Sequence, residues 1–265
     1  MAETPKRIVQ AVPAIAFAVF IVVEGGIIFA LGLIALGVVC LRELYEMMRR
    51  ARPVDIAGYL TVAALCLTAL YGEKRQILLV LVLALPLTFF FSVVRPRRAN
   101  VSWGIAATLF GALWIGLAFT HAIFLRELPH GGALVVDTAI GTFIGDTCAY
   151  FGGRAWGRTR IAPRISPNKT LAGLVSGIVG GTFAFWLFGL AYQHEWFGGT
   201  DRLLIGLAVA LAAPVGDLFE SMVKRDLNVK DTGRFFGAHG GALDRLDAVL
   251  FSIVAAYYVS VAVLL

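Results

Sequence analysis

Three consecutive pieces of the chain decide the fold: Leu203–Met222, LLIGLAVALAAPVGDLFESM; Val223–Arg245, VKRDLNVKDTGRFFGAHGGALDR; and Leu246–Leu265, LDAVLFSIVAAYYVSVAVLL. Each outer piece matches the roughly 20 residues that an α-helix needs to cross the hydrocarbon core of a bilayer. The piece between them crowds cations, carboxylates and glycines together. A membrane protein that gathers such charge at one edge of the bilayer needs something charged to bind there. Carboxylates hold a hard metal ion, and lysine and arginine hold phosphate.

The rest of the chain agrees with a membrane setting. Its 265 residues are 59% hydrophobic and 15% charged, with a mean hydropathy of +0.82. An ordinary soluble domain is about 25% charged. No polar stretch is long enough to build a separate soluble core. The first apolar run follows MAETPKR without a small-residue cleavage site and is expected to be a retained helix. Cys40, Cys66 and Cys148 lie in apolar runs without a CxxC pair, so they are expected to be buried thiols, neither disulfide-bonded nor zinc-binding.

Nine apolar segments can be marked, at about 8–23, 27–41, 57–71, 77–94, 103–124, 132–152, 171–192, 203–222 and 246–265. The first three are short for a span, and Glu24-Gly25-Gly26 is the weakest boundary. The expected fold is an all-α, polytopic membrane helix bundle of about nine transmembrane helices. If all nine cross, alternate loops divide the 23 cations unequally: Lys74, Arg75, Arg126 and Arg202 fall on one side and the other nineteen on the opposite side. The positive-inside rule then places the N-terminus in the cytoplasm and the C-terminus outside. The net charge of +6 is thereby a topology signal, and a nucleic-acid partner is not expected. No internal repeat is visible, so an inverted-repeat transporter gains no support. Glycine and proline are expected mostly at segment edges and in two long charged loops, 153–170 and 223–245.

Asp217, Glu220, Ser221 and Lys224 fall at i, i+3, i+4 and i+7 and share one helix face. A carboxylate in a span is costly, by about 2.5–3.5 kcal/mol on insertion scales, and is usually functional. The plainer alternative is an Asp217–Lys224 ion pair that only locks helices. Asp244 and Asp247 form a second i, i+3 pair, opening the last segment. Two such pairs on neighbouring helices suit Mg²⁺, which takes oxygen ligands and shares its shell with water and phosphate. The His239-Gly240-Gly241 turn between them suits close approach to a phosphate. His239 alone is more often a turn residue than a catalyst, and its place between the two carboxylate pairs makes the two readings even.

A second constellation follows the sixth segment. Asp146 sits inside an apolar run, and Arg154, Arg158, Arg160, Arg164 and Lys169 follow. For Arg158 and Arg160, plain positive-inside charge is the better reading. Ser166, Lys169 and Thr170 place hydroxyls and an ammonium just ahead of the seventh helix, whose N-terminal amides favour an anion. The glycines here do not form a P-loop. Glu43, Glu46, Arg49 and Arg50 are read as a solvated interfacial turn. Trp103, Trp114, Trp186 and Trp196 are core or interface aromatics, and His121, His130 and His194 are too scattered for a metal site.

The C-terminal stretch closely resembles the phosphatidate cytidylyltransferase (CDP-diacylglycerol synthase) family. The pattern S-x-x-K-R, four residues, K-D, then H-G-G and D-R-x-D is carried by Ser221, Lys224, Arg225, Lys230, Asp231, His239, Gly240, Gly241, Asp244, Arg245 and Asp247. A second element, A-Y-F-x-G-R followed by S-P-x-K-T, stands at Ala149–Arg154 and Ser166–Thr170. The matched parts cover roughly 141–247. Three positions depart from the family: Ala242 replaces a large aliphatic residue, Gly237-Ala238 a proline-glycine, and Ala172 a frequent glutamate.

The resemblance implies a multi-pass enzyme that joins CTP to phosphatidic acid, giving CDP-diacylglycerol and pyrophosphate with a divalent cation. It implies Asp217, Asp244 and Asp247 as metal ligands for Mg²⁺, with a second, monovalent cation left open. It further points to Lys224, Arg225, Lys230 and Asp231 as catalytic groups, with His239 beside them. Ser166, Lys169, Thr170, Ser221, Gly240, Gly241, Arg245, Asp146 and Arg154 are the substrate-binding candidates. Residues 1–130 are expected to be a transmembrane scaffold able to support a homodimer, and 131–265 the catalytic region, at the cytoplasmic face of the plasma (bacterial inner) membrane. The alternatives are another CTP-dependent transferase acting on a lipid phosphate or polyprenol, a cation-coupled transporter, and a lipid-binding scaffold.

Overall fold

A computed structural model describes residues 3–94, 100–192, 198–233, 235 and 240–264, with the backbone alone for 3–12, 14, 191 and 192. The described residues form nine α-helices: Glu3–Glu24 (α1), Gly26–Met47 (α2), Asp55–Tyr71 (α3), Lys74–Val94 (α4), Val101–Glu127 (α5), Gly131–Trp156 (α6), Leu171–Tyr192 (α7), Gly199–Asp226 (α8) and Leu243–Leu264 (α9). Seven of them are long and apolar enough to cross a membrane; α3 and the apolar part of α1, Ile15–Glu24, are shorter. The polytopic, almost wholly helical reading therefore holds. Segment two is longer than its apolar run, because α2 continues through Arg42–Glu46 to Met47. The break at Gly25-Gly26 is real, with φ of 70° and 47°, values that glycine tolerates and other residues rarely adopt.

The exception to an all-helical chain is a hairpin inside the 153–170 loop. Arg160–Ala162 (β1) pairs antiparallel with Ser166–Thr170 (β2), with Arg160 opposite Thr170 and Ala162 opposite Ser166. The Leu171 N–H then donates to the Thr159 carbonyl at 2.9 Å, so β2 runs straight into α7.

Packing divides the chain into two compact units, residues 1–124 with 229–244, and 125–228 with 245–265. In the first, Leu41, Leu44, Leu65 and Ile115 are fully buried among α2, α3 and α5. The Tyr45 hydroxyl donates to the Thr108 carbonyl at 2.8 Å, and the Val54 N–H donates to the Thr108 hydroxyl at 2.6 Å. The outer face of α4 is apolar: Leu78, Val82, Leu85 and Phe89, at i, i+4, i+7 and i+11, are all more than half exposed. Such a stripe suits lipid rather than water.

The second unit is built on backbone-to-backbone packing of α6 and α7. Gly141 and Gly145 face Gly177 and Gly181: a Cβ on Gly181 would lie 2.8 Å from the Gly141 carbonyl oxygen, and one on Gly177 3.1 Å from that of Gly145. This corrects the expectation that glycine gathers at segment edges and loops. Helices in a bilayer gain little from burying apolar surface against one another, so small residues that admit close approach become the means of packing. Further along, Asp137 of α6 and Arg202 of α8 are both buried. Both side chains lie close to Gly189 of α7, whose carbonyl accepts from Arg202 at 3.0 Å. Helix α8 packs on α9 at Gly216, which lies against the backbone of Asp247 and Ala248, and Phe219 meets Phe251 with ring centroids 5.4 Å apart.

Gly177→Ala should therefore destabilise the protein by about 1–3 kcal/mol, the usual cost of overpacking. Gly199→Ala should be near neutral, because a Cβ there meets, among the described residues, only Trp186 at 3.9 Å. Thermal melts of the two variants in detergent check this.

Candidate active site

The face predicted on α8 is present, and three other elements of the second unit bring charge to it. Asp217 pairs with Lys169 of β2, Oδ2 to Nζ 2.7 Å, and accepts from the Ser221 hydroxyl at 3.4 Å. Glu220 pairs with Lys224 at 3.1 Å, and the glutamate side chain is 1% exposed. Asp247 of α9 accepts from the Ala248 N–H at 2.8 Å and stands beside Glu220, Asp217 and Lys224. Asp146 of α6 interacts with Asp217, Asp247 and Lys169, and lines a small cavity of about 30 Å³ with Gly145, Ala149, Leu174 and Gly177. Asp217 thus has a lysine from a distant strand, where the sequence offered only Lys224.

Carboxylates gathered in one place, as Asp217, Glu220 and Asp247 are, repel one another unless positive charge offsets them. The donors are all hard oxygens. No three His, Cys, Asp or Glu side chains among the described residues already form a ligand set. Mg²⁺ does not demand one, since it usually takes one or two carboxylates and completes its shell with water and substrate phosphate. The donor set fits that ion.

The remaining candidates fall into several environments. Arg225 is exposed, and its Nε donates to the Ile165 carbonyl at 3.3 Å, tying the end of α8 to the hairpin turn. The Thr170 hydroxyl accepts from the Gly173 N–H at 3.1 Å, so it caps the start of α7. Ser166 is half-buried in β2, and Lys230, Asp231 and Arg245 are exposed. Arg154 is exposed and donates to the Tyr150 hydroxyl at 3.3 Å. His239 lies outside the described residues, as do His194 and Trp196. Ala172, in place of the family's frequent glutamate, lines a surface groove of about 400 Å³ with Trp156, Arg158, Thr159, Val175 and Ser176.

In the first unit, Asp244 Oδ2 accepts the amides of Thr232 at 3.0 Å and Gly241 at 2.9 Å. Gly240 has φ +84°, a conformation that favours glycine. The Gly241 amide is thus already donated to Asp244. Glu43 departs from the solvated turn expected for it. It is buried, and its Oε2 accepts from the Leu243 N–H at 3.0 Å and the Thr232 hydroxyl at 3.3 Å. Glu46 and Arg49 are solvated, forming an exposed pair at 3.4 Å. The signal for Glu43 was its neighbourhood: it stands between Cys40, Leu41, Leu44 and Tyr45, all buried.

The cytidylyltransferase family pattern matches residues 5–263. The chain belongs to the cytidylyltransferase family. It is similar to the phosphatidate cytidylyltransferase of Bacillus subtilis, 31% identical over 269 residues, covering 97% of this chain and 98% of that protein. The phosphatidate cytidylyltransferase of Thermotoga maritima is 35% identical over 176 residues, 64% of each chain. That of Mycobacterium leprae is 38% identical over 164 residues, 61% of this chain and 51% of the longer relative. The family match thus takes in the N-terminal helices, beyond the 141–247 stretch that carries the motifs.

Lys224→Met should cost about 3–5 kcal/mol, the usual penalty for removing one partner of a buried ion pair. Combining it with Glu220→Leu should recover most of that stability. A double-mutant cycle of detergent unfolding midpoints measures the coupling.

Proposed function

We propose that this protein transfers the cytidylyl group of CTP to phosphatidic acid, forming CDP-diacylglycerol and pyrophosphate. The observation that carries the reading is the alternation of ammonium and carboxylate on one helical face, Lys169–Asp217 beside Lys224–Glu220, in a chain of this family. The same alternation argues against a cation-coupled transporter, because the lysines would repel the transported ion.

A phosphatidate oxygen attacks the α-phosphorus of CTP, and the bond to the oxygen bridging α- and β-phosphorus breaks, releasing pyrophosphate. That nucleophile is already an anion at neutral pH, so no strong general base is needed. The obstacle is the approach of two polyanions. Lys169, Lys224, Arg225 and Lys230 supply positive charge where negative charge accumulates. Lys169 and Lys224 rest on carboxylates, so an arriving phosphate exchanges one anionic partner for another and never meets an uncompensated buried cation. Ser166, Thr170, Ser221, Arg154, Arg245, Asp146, Gly240 and Gly241 are assigned to substrate binding, and Asp231 and His239 to the polar site around it. Asp217, Asp244 and Asp247 would hold Mg²⁺, which when bound neutralises phosphate oxygens and stabilises the leaving group.

The cation distribution supports a cytoplasmic N-terminus and active site in the bacterial inner membrane, with the C-terminus outside. The acyl chains of the substrate then stay in the bilayer while its head group reaches the charged face. Residues 1–130 form the scaffold, whose apolar surface is offered to a second copy, and 131–265 the catalytic region.

Purified protein given radiolabelled CTP should form CDP-lipid only when phosphatidate and Mg²⁺ are both present. Asp244→Asn and Asp217→Asn should each abolish that product while leaving the protein inserted in the membrane. Near-normal turnover in either variant overturns its ligand assignment, and product without phosphatidate overturns the substrate.

A further inference from the structure

Away from the lysine–carboxylate cluster, the first unit buries a carboxylate that the proposed chemistry does not use. Glu43, on α2, is 9% exposed. Both of its hydrogen bonds reach about two hundred residues along the chain, from Oε2 to the Leu243 N–H and the Thr232 hydroxyl. Its other oxygen, Oε1, is buried and has no hydrogen-bond partner among the described residues. Two glycines make room for it: a Cβ on Gly233 would run into Oε1, and one on Gly241 into Oε2. Thr232 is shared between two acids, with its amide on Asp244 at 3.0 Å and its hydroxyl on Glu43 at 3.3 Å.

We propose that Glu43 is a positioning residue: by holding the Thr232 hydroxyl and the Leu243 amide it locks Thr232, whose own amide binds Asp244, and the residue that precedes Asp244, and so fixes where Asp244 stands. The catalytic part of this inference rests on the reading of Asp244 given above; the locking part does not. Two features separate the role from plain packing. A buried oxygen left without a donor carries a penalty of about 1–3 kcal/mol, more for a charged group, which an apolar side chain at the same place would avoid. The groups Glu43 does bind lie on the segment that carries Asp244, and the Leu243 amide opens a helix, where a carboxylate acceptor is favourable.

The test uses the full chain in nanodiscs with three variants. Glu43→Gln keeps an acceptor of the same shape, Glu43→Leu removes it, and Thr232→Val deletes one bond while leaving α2 intact. Hydrogen–deuterium exchange at the Thr232, Gly241 and Leu243 amides, without nucleotide or metal, should quicken about tenfold or more in Glu43→Leu and Thr232→Val and change little in Glu43→Gln. In the CTP assay the same two variants should lose about 10- to 100-fold in kcat or in apparent Mg²⁺ affinity, the usual effect of losing a group that orients a metal ligand. Their KM for phosphatidate should stay within about twofold, and Glu43→Gln should recover most of the activity. Unchanged exchange overturns the lock. Faster exchange with unaltered kcat and Mg²⁺ dependence overturns the positioning role, as does a lowered melting temperature whose activity loss disappears in the cold. If Glu43→Leu does not fold, Thr232→Val decides. If the wild-type chain makes no CDP-lipid, the proposed function fails, while the exchange result still reports on the lock.

Discussion

Charge taken out of water must be matched by charge or by hydrogen bonds, and in a bilayer the penalty for failing to do so is higher than in a soluble core. The second unit meets this requirement with Lys169 on Asp217 and Lys224 on Glu220. Asp247 joins Glu220, and Asp146 approaches from α6. Neither lysine is replaceable by a distant surface cation, because a single uncompensated carboxylate at this depth would destabilise the helix that carries it. The arrangement that makes the site tolerable in a membrane also suits it to receive phosphates and a divalent cation.

The close packing of α6 and α7 is what lets that arrangement form. Glycine at 141, 145, 177 and 181 brings the two backbones into contact. The short hairpin between them then delivers Lys169 to α8 instead of leaving it in solvent. Arg225 closes the same corner by binding the Ile165 carbonyl. The α8–α9 contact at Gly216 sets Asp247 against the α8 face. A larger residue at any of these glycines would push apart the elements whose charges must meet.

The first unit solves a related problem with a loop. The 229–244 segment contains glycines at 233, 237, 240 and 241, which by themselves would leave it conformationally free. Glu43 and Asp244 take its amides and the Thr232 hydroxyl from two directions. Glycine here supplies the space and the positive φ that allow two carboxylates to grip one backbone. Its amide at Gly241 serves Asp244, a use that phosphate-loop reasoning did not anticipate.

Much of this was legible in the chain. Long apolar runs separated by charged loops require membrane helices, whatever their partners, because hydrocarbon leaves the backbone no other way to satisfy its hydrogen bonds. Helical spacing put Asp217, Glu220, Ser221 and Lys224 on one face, since i, i+3, i+4 and i+7 are neighbours through local geometry alone. The pattern running from Ser221 to Asp247 carried the family. The pairing of Lys169 with Asp217, the gathering of glycines along the α6–α7 seam and the burial of Glu43 were decided only by tertiary structure. Each depends on which surface a helix turns toward a partner dozens or hundreds of residues away. A glutamate beside arginines reads as solvated in one dimension, and it becomes a buried acceptor only when a distant loop folds over it.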